Sequence, residues 1–510
     1  PRYIPAGMEL GELHMRVRDA AGAADALGRL HRELPDAPDV QRRYLVALIE
    51  AGRHEPAVPI AEDLLAGNPR DMIARDALLG ALAELGRFDR AVAAARRWIA
   101  EDRSATLRDL HRWKLLGLLE RAERYDAARE LLDEWIAEAP EDSRARLRAA
   151  KLQVYAAAGQ VDMALAYARD WIDDAPRDPT PKDLLMGVLI EAEAYGKLPP
   201  LLREWIGNNR GRSVERYRLG LVLALVETDR LDDARAYVER WIGEEPFAIA
   251  PRQAMAGALI ESRPAELEKI LSGWIDSLEA DAAATRPEGH AELLAWCRET
   301  LVTALTAGKR FKEALAKANA FLAKDPENAG LHELRSTCLS ELGRDDEALA
   351  ALEKVHELKP DAPGVNNNLG YMYADRGVKL ARAEEMIREA VSERPLQIAF
   401  QDSLGWVFYK RGKPRRAAAV FRRMLDDAGD GPLDHAVISD HAGDAFYRLG
   451  WTDLARRLWT DAVRQAEQIE ARTREDRRVL DSARAKLRAL EKGRAAPVAP
   501  LGEGVSAEAP

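Results

Sequence analysis

Apolar side chains recur along this chain at spacings of three and four residues, in stretches that polar turns separate. Before Trp135, for example, Ala128 and Leu132 precede the indole by seven and three residues, so all three share one helical face. The turn AERYD (122–126) comes before this stretch, and Pro140 closes it because proline cannot continue a helix. Alternating strand-like runs are nearly absent. The pattern predicts an all-α chain.

Six of these stretches, all in the first half of the chain, end in a Trp-Ile pair. The tryptophans are Trp98, Trp135, Trp171, Trp205, Trp241 and Trp274, with spacings of 37, 36, 34, 36 and 33 residues. The same register continues at Leu64, Phe321, Val355, Ala390, Met424 and Ala462. A period of this size is typical of stacked helical hairpins. We count about twelve hairpins, and a further one near Leu30.

The repeated tryptophans allow two interpretations. Where the preceding face positions are alanine, as beside Trp98 and Trp171, an indole fits the space that small residues leave in a core. A stripe of aromatic side chains that binds a partner is the alternative. We adopt the core interpretation.

The C-terminal third of the chain carries a second, more regular motif in the segments NNLGYMYADRG, DSLGWVFYKRG and HAGDAFYRLG. The matching residues are Leu369, Gly370 and Tyr373 with Ala383 and Pro395; Leu404, Gly405 and Phe408 with Ala417 and Phe421; and Gly443 and Phe446 with Ala455 and Trp459. This motif resembles the tetratricopeptide repeat (TPR) of bacterial proteins. The resemblance covers roughly residues 8–465. It implies an all-α, right-handed superhelical solenoid of about 12–13 TPR-like hairpins with a C-terminal capping helix.

The repeat register also predicts how the chain is divided. The spacing between Trp274 and Phe321 widens to 47 residues, which places a longer loop there, and the residues after 492 are rich in proline, glycine and small side chains. The predicted parts are an N-terminal array with Trp-Ile repeats at 1–280, a longer inter-repeat loop at 281–290, a regular array at 291–465, a capping helix at 466–492 and a disordered tail at 493–510. The apolar stripe of the capping helix would comprise Ile469, Leu480, Ala483, Leu487 and Leu490.

Composition narrows the function classes. The net charge of −10 argues against a general nucleic-acid binder, and no apolar run is long enough to span a bilayer. The two cysteines, Cys297 and Cys338, fit buried positions in helices better than a disulfide framework or a zinc site. The sequence starts at Pro1 without a methionine, so two locations stay open: cytoplasmic or, after removal of a leader, periplasmic and envelope-associated.

Motifs of catalysis and of metal binding are missing from the sequence. It contains no phosphate-binding loop, dinucleotide-binding glycine motif, zinc-protease motif or nucleophile elbow. The acidic segment 426–437 fails as a calcium loop because Ala428 and Val437 stand where oxygen ligands are required. His435 and His441 straddle a helix start and make a poor metal pair. We predict no enzyme activity, no cofactor and no metal site.

The TPR resemblance implies a concave groove lined by the first helix of each hairpin, with polar and aromatic side chains that bind a peptide or a partner helix. These positions are Asn367, Asn368, Tyr371 and Asp375, then Asp402, Trp406 and Lys410, then Asp440, Asp444 and Arg448. The alternative is that they are ordinary solvated residues. A clamp for C-terminal carboxylates, as in some TPR proteins, lacks its basic residues at Val437 and His441.

The predicted function is therefore a non-catalytic protein–protein interaction scaffold that binds a peptide or partner-protein segment in this groove. The alternative is a dedicated regulatory or assembly subunit of a bacterial envelope or enzyme complex.

Overall fold

The structure is a computed structural model that describes residues 3–16, 19–208, 212–281, 288–428, 433, 435–469, 472–502 and 504–506. In these residues it forms 27 α-helices, one short 3-10 helix and no strand, which confirms the all-α prediction. The chain divides into two compact units, Pro1–Gly220 and Leu221–Pro510. The division at 281–290 that follows from repeat chemistry stays a prediction, and residues 282–287 of that loop lie outside the described part of the chain.

The first unit is built from short antiparallel helices that pack against their neighbours along the chain, as α4 does on α5. Its helices are α1 (Tyr3–Arg16), α2 (Ala20–Glu33), α3 (Pro38–Glu50), α4 (His54–Gly67), α5 (Met72–Glu84), α6 (Phe88–Glu101), α7 (Ala105–Arg121), α8 (Tyr125–Glu138), α9 (Glu141–Ala157), α10 (Val161–Asp174), α11 (Thr180–Glu191), a 3-10 turn (Tyr195–Lys197), α12 (Leu198–Asn208) and the start of α13 (Arg212–Glu227).

The second unit continues the same alternation of first and second helices. Its helices are the end of α13, α14 (Leu231–Glu244), α15 (Ala250–Leu259), α16 (Pro264–Asp281), α17 (His290–Ala307), α18 (Phe311–Leu322), α19 (Ala329–Glu341), α20 (Asp345–Leu358), α21 (Pro363–Arg376), α22 (Leu380–Glu393), α23 (Ile398–Lys410), α24 (Pro414–Asp427), α25 (Ala436–Arg448), α26 (Thr452–Gln468) and α27 (Arg474–Glu491). Odd-numbered helices up to α25 are first helices and even-numbered ones are second helices. The described residues thus contain thirteen hairpins, including the one at Leu30 in α2, followed by α27.

The tryptophans of the Trp-Ile pairs belong to the core. Trp98, Trp135, Trp171, Trp205 and Trp241 are each at most 4% exposed, whereas the isoleucines that follow them are half-buried. At the sixth pair the roles change, because Trp274 is half-buried and Ile275 is buried. The core interpretation is confirmed for the first five.

A cation on the first helix accompanies these aromatic rings, a feature that the sequence analysis missed. Arg75 lies 23 residues before Trp98, and its guanidinium carbon is 4.9 Å from the centre of the indole. The other pairs at this offset are Arg112 with Trp135 at 5.3 Å, Arg148 with Trp171 at 5.9 Å, Arg298 with Phe321 at 5.5 Å and, one residue closer, Arg252 with Trp274 at 5.7 Å. An arginine over a ring face adds a cation–π attraction to the packing.

The C-terminal end differs from the predicted single helix over 466–492. α26 runs to Gln468, and α27 begins only at Arg474, where Thr473 and Asp476 form a capping box. Ile469 therefore lies outside α27. Among the other stripe residues, Leu480 and Ala483 are buried in one cluster with Trp459 of α26. The capping box supplies the physical reason for the break, since it satisfies free N–H groups at a new helix start.

The predicted disorder of the tail also differs from the structure over 493–502 and 504–506. Ala496 and Gly502 are buried, and Ala499 and Leu501 pack against the core of the second unit. Residues 503 and 507–510 lie outside the described residues. Composition predicted disorder because it counts small and proline residues, whereas main-chain contacts hold this segment.

Candidate functional site

The ten predicted groove residues lie on three neighbouring first helices of the second unit. α21 carries Asn367, Asn368, Tyr371 and Asp375, α23 carries Asp402, Trp406 and Lys410, and α25 carries Asp440, Asp444 and Arg448. Because α21 packs on α23 and α23 packs on α25, the three sets form one continuous surface. We call this surface the groove.

Most of the groove residues are not solvated. Asn367, Asp402, Trp406, Lys410, Asp440 and Asp444 are buried, Tyr371, Asp375 and Arg448 are half-buried, and Asn368 is exposed. Simple solvation therefore does not account for these polar side chains. Other parts of the chain cover them.

Helix α27 covers the floor of the groove through paired charges. Arg478 donates a hydrogen bond to Asp375 at 2.7 Å, and the hydroxyl of Tyr371 donates to Glu475 at 2.9 Å. Farther along α27, the ammonium of Lys486 contacts both Asp440, at 2.8 Å, and Asp444, at 2.5 Å. The basic side of α27 thus meets an acidic row on the first helices.

The chain after α27 then crosses the groove, and we call residues 496–502 the tail segment. The N–H of Ala499 donates to Asp444 Oδ2 at 2.8 Å. The carbonyl of Ala499 accepts from Tyr409 Oη at 2.6 Å and from Arg448 Nη2 at 2.9 Å. The N–H of Gly502 donates to the Lys410 carbonyl at 2.9 Å. The groove therefore binds the main chain of an extended segment.

Burial and charge shift the titration of the groove. Burial, helped by neighbouring Asp440, raises the pKa of Asp444 to about 6, although Lys486 opposes the shift. Burial lowers the pKa of Lys410, and the attraction of Asp375 offsets part of that effect. Two carboxylates share the ammonium of Lys486, so the site holds charge only as a compensated cluster.

A histidine lies at the centre of the groove. His441 Nδ1 is 3.0 Å from Asp402 Oδ1, and the ring of His441 stacks on Trp406 with centroids 3.8 Å apart. Burial by itself would lower the pKa of His441, but Asp402, with Asp440 and Asp375, outweighs it and raises the pKa above 6.5. His441 thus holds α23 and α25 together.

Two tyrosines of the groove were missed in the sequence. Tyr409 binds the tail carbonyl and stacks parallel on Trp406 with centroids 5.0 Å apart, and Tyr447 accepts a hydrogen bond from the Ala496 N–H at 3.0 Å. Tyr409 follows Trp406 by three residues, so helical spacing could have placed it on the same side of α23. Tyr447 precedes Arg448, and no spacing signal points to it.

Part of the groove stays open beyond the start of α27. A cavity of about 370 Å³ lies between α19, α21 and α27. Asn368, Thr337 and Arg474 are among its lining residues, and Asn368 donates a hydrogen bond to Glu333 at 3.3 Å. The side chains that line it carry both signs of charge.

Two negative findings apply to the described residues alone. Within them, no group of three or more histidine, cysteine, aspartate or glutamate side chains is arranged to hold a metal ion. None of the helices in this part of the chain combines the length and apolar character that a membrane crossing requires.

Solved structures resemble the chain along most of its length. The structure of Naa15/Naa10 bound to HypK-THB is 13% identical, with 93% of this chain and 86% of that chain covered and a TM-score of 0.42. Yeast Tom70 is 14% identical, with 96% of each chain covered and a TM-score of 0.33. At these values neither likeness bears on function.

Sequence comparison is more specific. Residues 46–106 and 300–363 match the family model of the tetratricopeptide repeat. The chain is 37% identical over 81 residues to a TPR repeat-containing protein of Pseudomonas aeruginosa, and this segment is 15% of the chain and 14% of that relative. The two matched regions lie one in each unit, and together with the thirteen helical hairpins they make this chain a tetratricopeptide-repeat protein.

Proposed function

We propose that the protein is a non-catalytic interaction scaffold that binds an extended segment of a partner protein in the groove of α21, α23 and α25. One observation carries the proposal: the groove holds the tail segment by its main chain, through Asp444, Tyr409, Arg448 and the Lys410 carbonyl. Every peptide offers the same N–H and C=O groups, so a site that binds them is suited to segments of other proteins.

The side chains of the groove support binding rather than catalysis. His441 is 3% exposed, pairs with Asp402 and lies flat against Trp406, so its ring contributes to packing. Asp440 and Asp444 are engaged with Lys486. A general base needs a free side chain within reach of a substrate proton, and these groups are already paired.

Photo-crosslinking locates the partner on the surface. We would place p-benzoyl-phenylalanine at position 447, where Tyr447 contacts the tail segment, and, as a matched control, at position 451. Trp451 is exposed and lies on the α24 side, beneath the guanidinium of Arg422. After irradiation in a cell lysate, we expect an adduct with another protein from position 447 and none from position 451, identified by mass spectrometry. Adducts from position 451 alone would contradict the proposal.

A further inference from the structure

We propose that the tail segment is a built-in occupant of the groove, and that the partner segment has its chemistry: extended, uncharged, proline-containing, with a small residue at every third position. This inference rests on the proposed function, because it names the ligand class of the same groove. It also states how the groove is regulated, since the partner binds only when the tail segment leaves.

The contacts of the tail segment repeat every third residue. The N–H groups of Ala496, Ala499 and Gly502 donate to Tyr447 Oη, Asp444 Oδ2 and the Lys410 carbonyl, at 3.0, 2.8 and 2.9 Å. Pro497 and Pro500, which follow the first two, are exposed. A spacing of three is the period of the extended helix that proline-rich chains adopt, although a tight turn at Pro497 joins the Val498 N–H to the Ala496 carbonyl.

The inward positions have room only for small side chains. A Cβ atom added to Gly502 would lie 3.1 Å from the Gly377 carbonyl oxygen and closer still to Leu380. Ala496 is buried in the cluster that contains Trp459. A larger residue at either position would push the segment out of the groove.

Aromatic rings form the matching surface of the groove. Ala499 and Leu501 pack against the cluster that includes Trp406 and Tyr409, whose rings are parallel with centroids 5.0 Å apart. Aromatic-lined grooves bind proline-containing segments because such segments are already extended and lose little entropy on binding. The inward face of the tail segment carries no charge, which suits a site whose own charges are compensated.

Tail and partner would compete for the same atoms. The tail segment uses both free groups of Arg448 and Tyr409 and one oxygen of Asp444. It follows α27 after a few residues, so its effective concentration at the groove is high, of the order of millimolar for a short flexible connection. The apparent affinity for a partner is reduced by the fraction of molecules in which the groove is free.

The test measures binding of a labelled peptide of residues 494–506 to the full chain by fluorescence anisotropy. Three chains are compared: wild type, Gly502→Val, in which the added side chain meets Leu380, and Ala495→Val, an equally small enlargement at an exposed tail position. We expect Gly502→Val to bind the peptide at least about tenfold more tightly than wild type and Ala495→Val to match wild type. Circular dichroism checks that all three keep the same helical content.

A second set of peptides tests the ligand class on the Gly502→Val chain. A peptide that itself carries Gly502→Val, or Ala499→Asp next to the Asp444 carboxylate, should lose at least about tenfold in affinity. Equal binding by the wild-type and Gly502→Val chains would overturn the competition, and unchanged binding of the altered peptides would overturn the ligand class. Absence of binding to every chain would also overturn the inference. None of these results affects the crosslinking test at position 447, so failure of the inference and failure of the proposed function are distinguishable.

Discussion

Single residues in this protein gain their roles from the repeat that surrounds them. Trp171 is buried because Ala164 and Ala168 leave space for it and Arg148 covers its ring. The tryptophan and the alanines were readable in the sequence, since they recur at fixed offsets. The arginine partner was not recognised, because it lies on another helix at an offset of 23 residues that only the folded hairpin explains.

Removing one indole should therefore cost core stability. Trp171→Ala is expected to lower the free energy of unfolding by about 3–5 kcal/mol, the range for truncation of a buried large side chain. The matched control is Met163→Ala in the same helix, because Met163 is 50% exposed, and it should change stability by less than about 0.5 kcal/mol. Urea unfolding followed by circular dichroism measures both, and a near-neutral Trp171→Ala would return the tryptophans to the partner-binding interpretation.

His441 gives the second unit a pH dependence. Its pKa is raised in the folded chain, so its contribution to stability is complete below pH about 6.5 and is lost as the pH rises through the folded pKa. We expect the stability difference between wild type and His441→Gln to shrink as the pH rises from about 6 to about 9. His356→Gln, at a half-buried position in α20, serves as the control. A difference that stays constant with pH would show that His441 does not titrate in this range.

At the scale of elements, the turn inside each hairpin determines where one helix ends and the next begins. Gly86 adopts φ = 69° between α5 and α6, in the left-handed region that favours glycine, whereas Gly80 lies within α5. A Cβ atom would meet nothing within 4 Å at either position. The two glycines differ only in their backbone conformation.

Alanine substitution should therefore have opposite effects at these two positions. Gly86→Ala should destabilise by about 1–2 kcal/mol, because a side chain strains the left-handed conformation. Gly80→Ala should stabilise by about 0.5–1 kcal/mol, because alanine loses less entropy in a helix. Thermal unfolding of the two variants beside wild type measures the contrast, and shifts of the same sign would contradict it.

Helices and their period were predictable because apolar positions, turns and closing prolines repeat locally. The break between α26 and α27 was missed because good helix formers continue through 467–472, although the capping residues Thr473 and Asp476 were visible in the sequence. The groove residues were placed correctly on α21, α23 and α25, but nothing local indicates what covers them. Contacts between residues a hundred positions apart, such as Arg478 with Asp375, leave no periodic signal.

At the scale of the second unit, these distant contacts join several hairpins that otherwise contact only their neighbours. α27 reaches Asp345 through Arg474, Asp375 through Arg478, and Asp440 and Asp444 through Lys486. In repeat proteins, stability is approximately a sum of repeats and their shared interfaces, so a helix that crosses several repeats adds coupling between them.

Lys486 is the buried centre of that coupling. Lys486→Met should destabilise the second unit by about 3–5 kcal/mol, because Asp440 and Asp444 would be left buried without their cation. The loss should be smaller near pH 5 than at pH 8, since the raised pKa of Asp444, about 6, lets that carboxyl take up a proton. Arg488→Met, at an exposed position of α27, is the control. Hydrogen exchange should show reduced protection of α21, α23 and α25 in Lys486→Met but not in Arg488→Met.

The position of the tail segment at the end of the chain has a consequence for synthesis. The ribosome completes α21, α23 and α25 before it makes residues 496–502, and Gly502 follows Arg448 by 54 residues. At roughly 5–20 residues per second, about 3–10 s of translation separate the two. During that interval the nascent chain presents an unoccupied groove, so a partner that is present at the ribosome meets it before its own competitor exists.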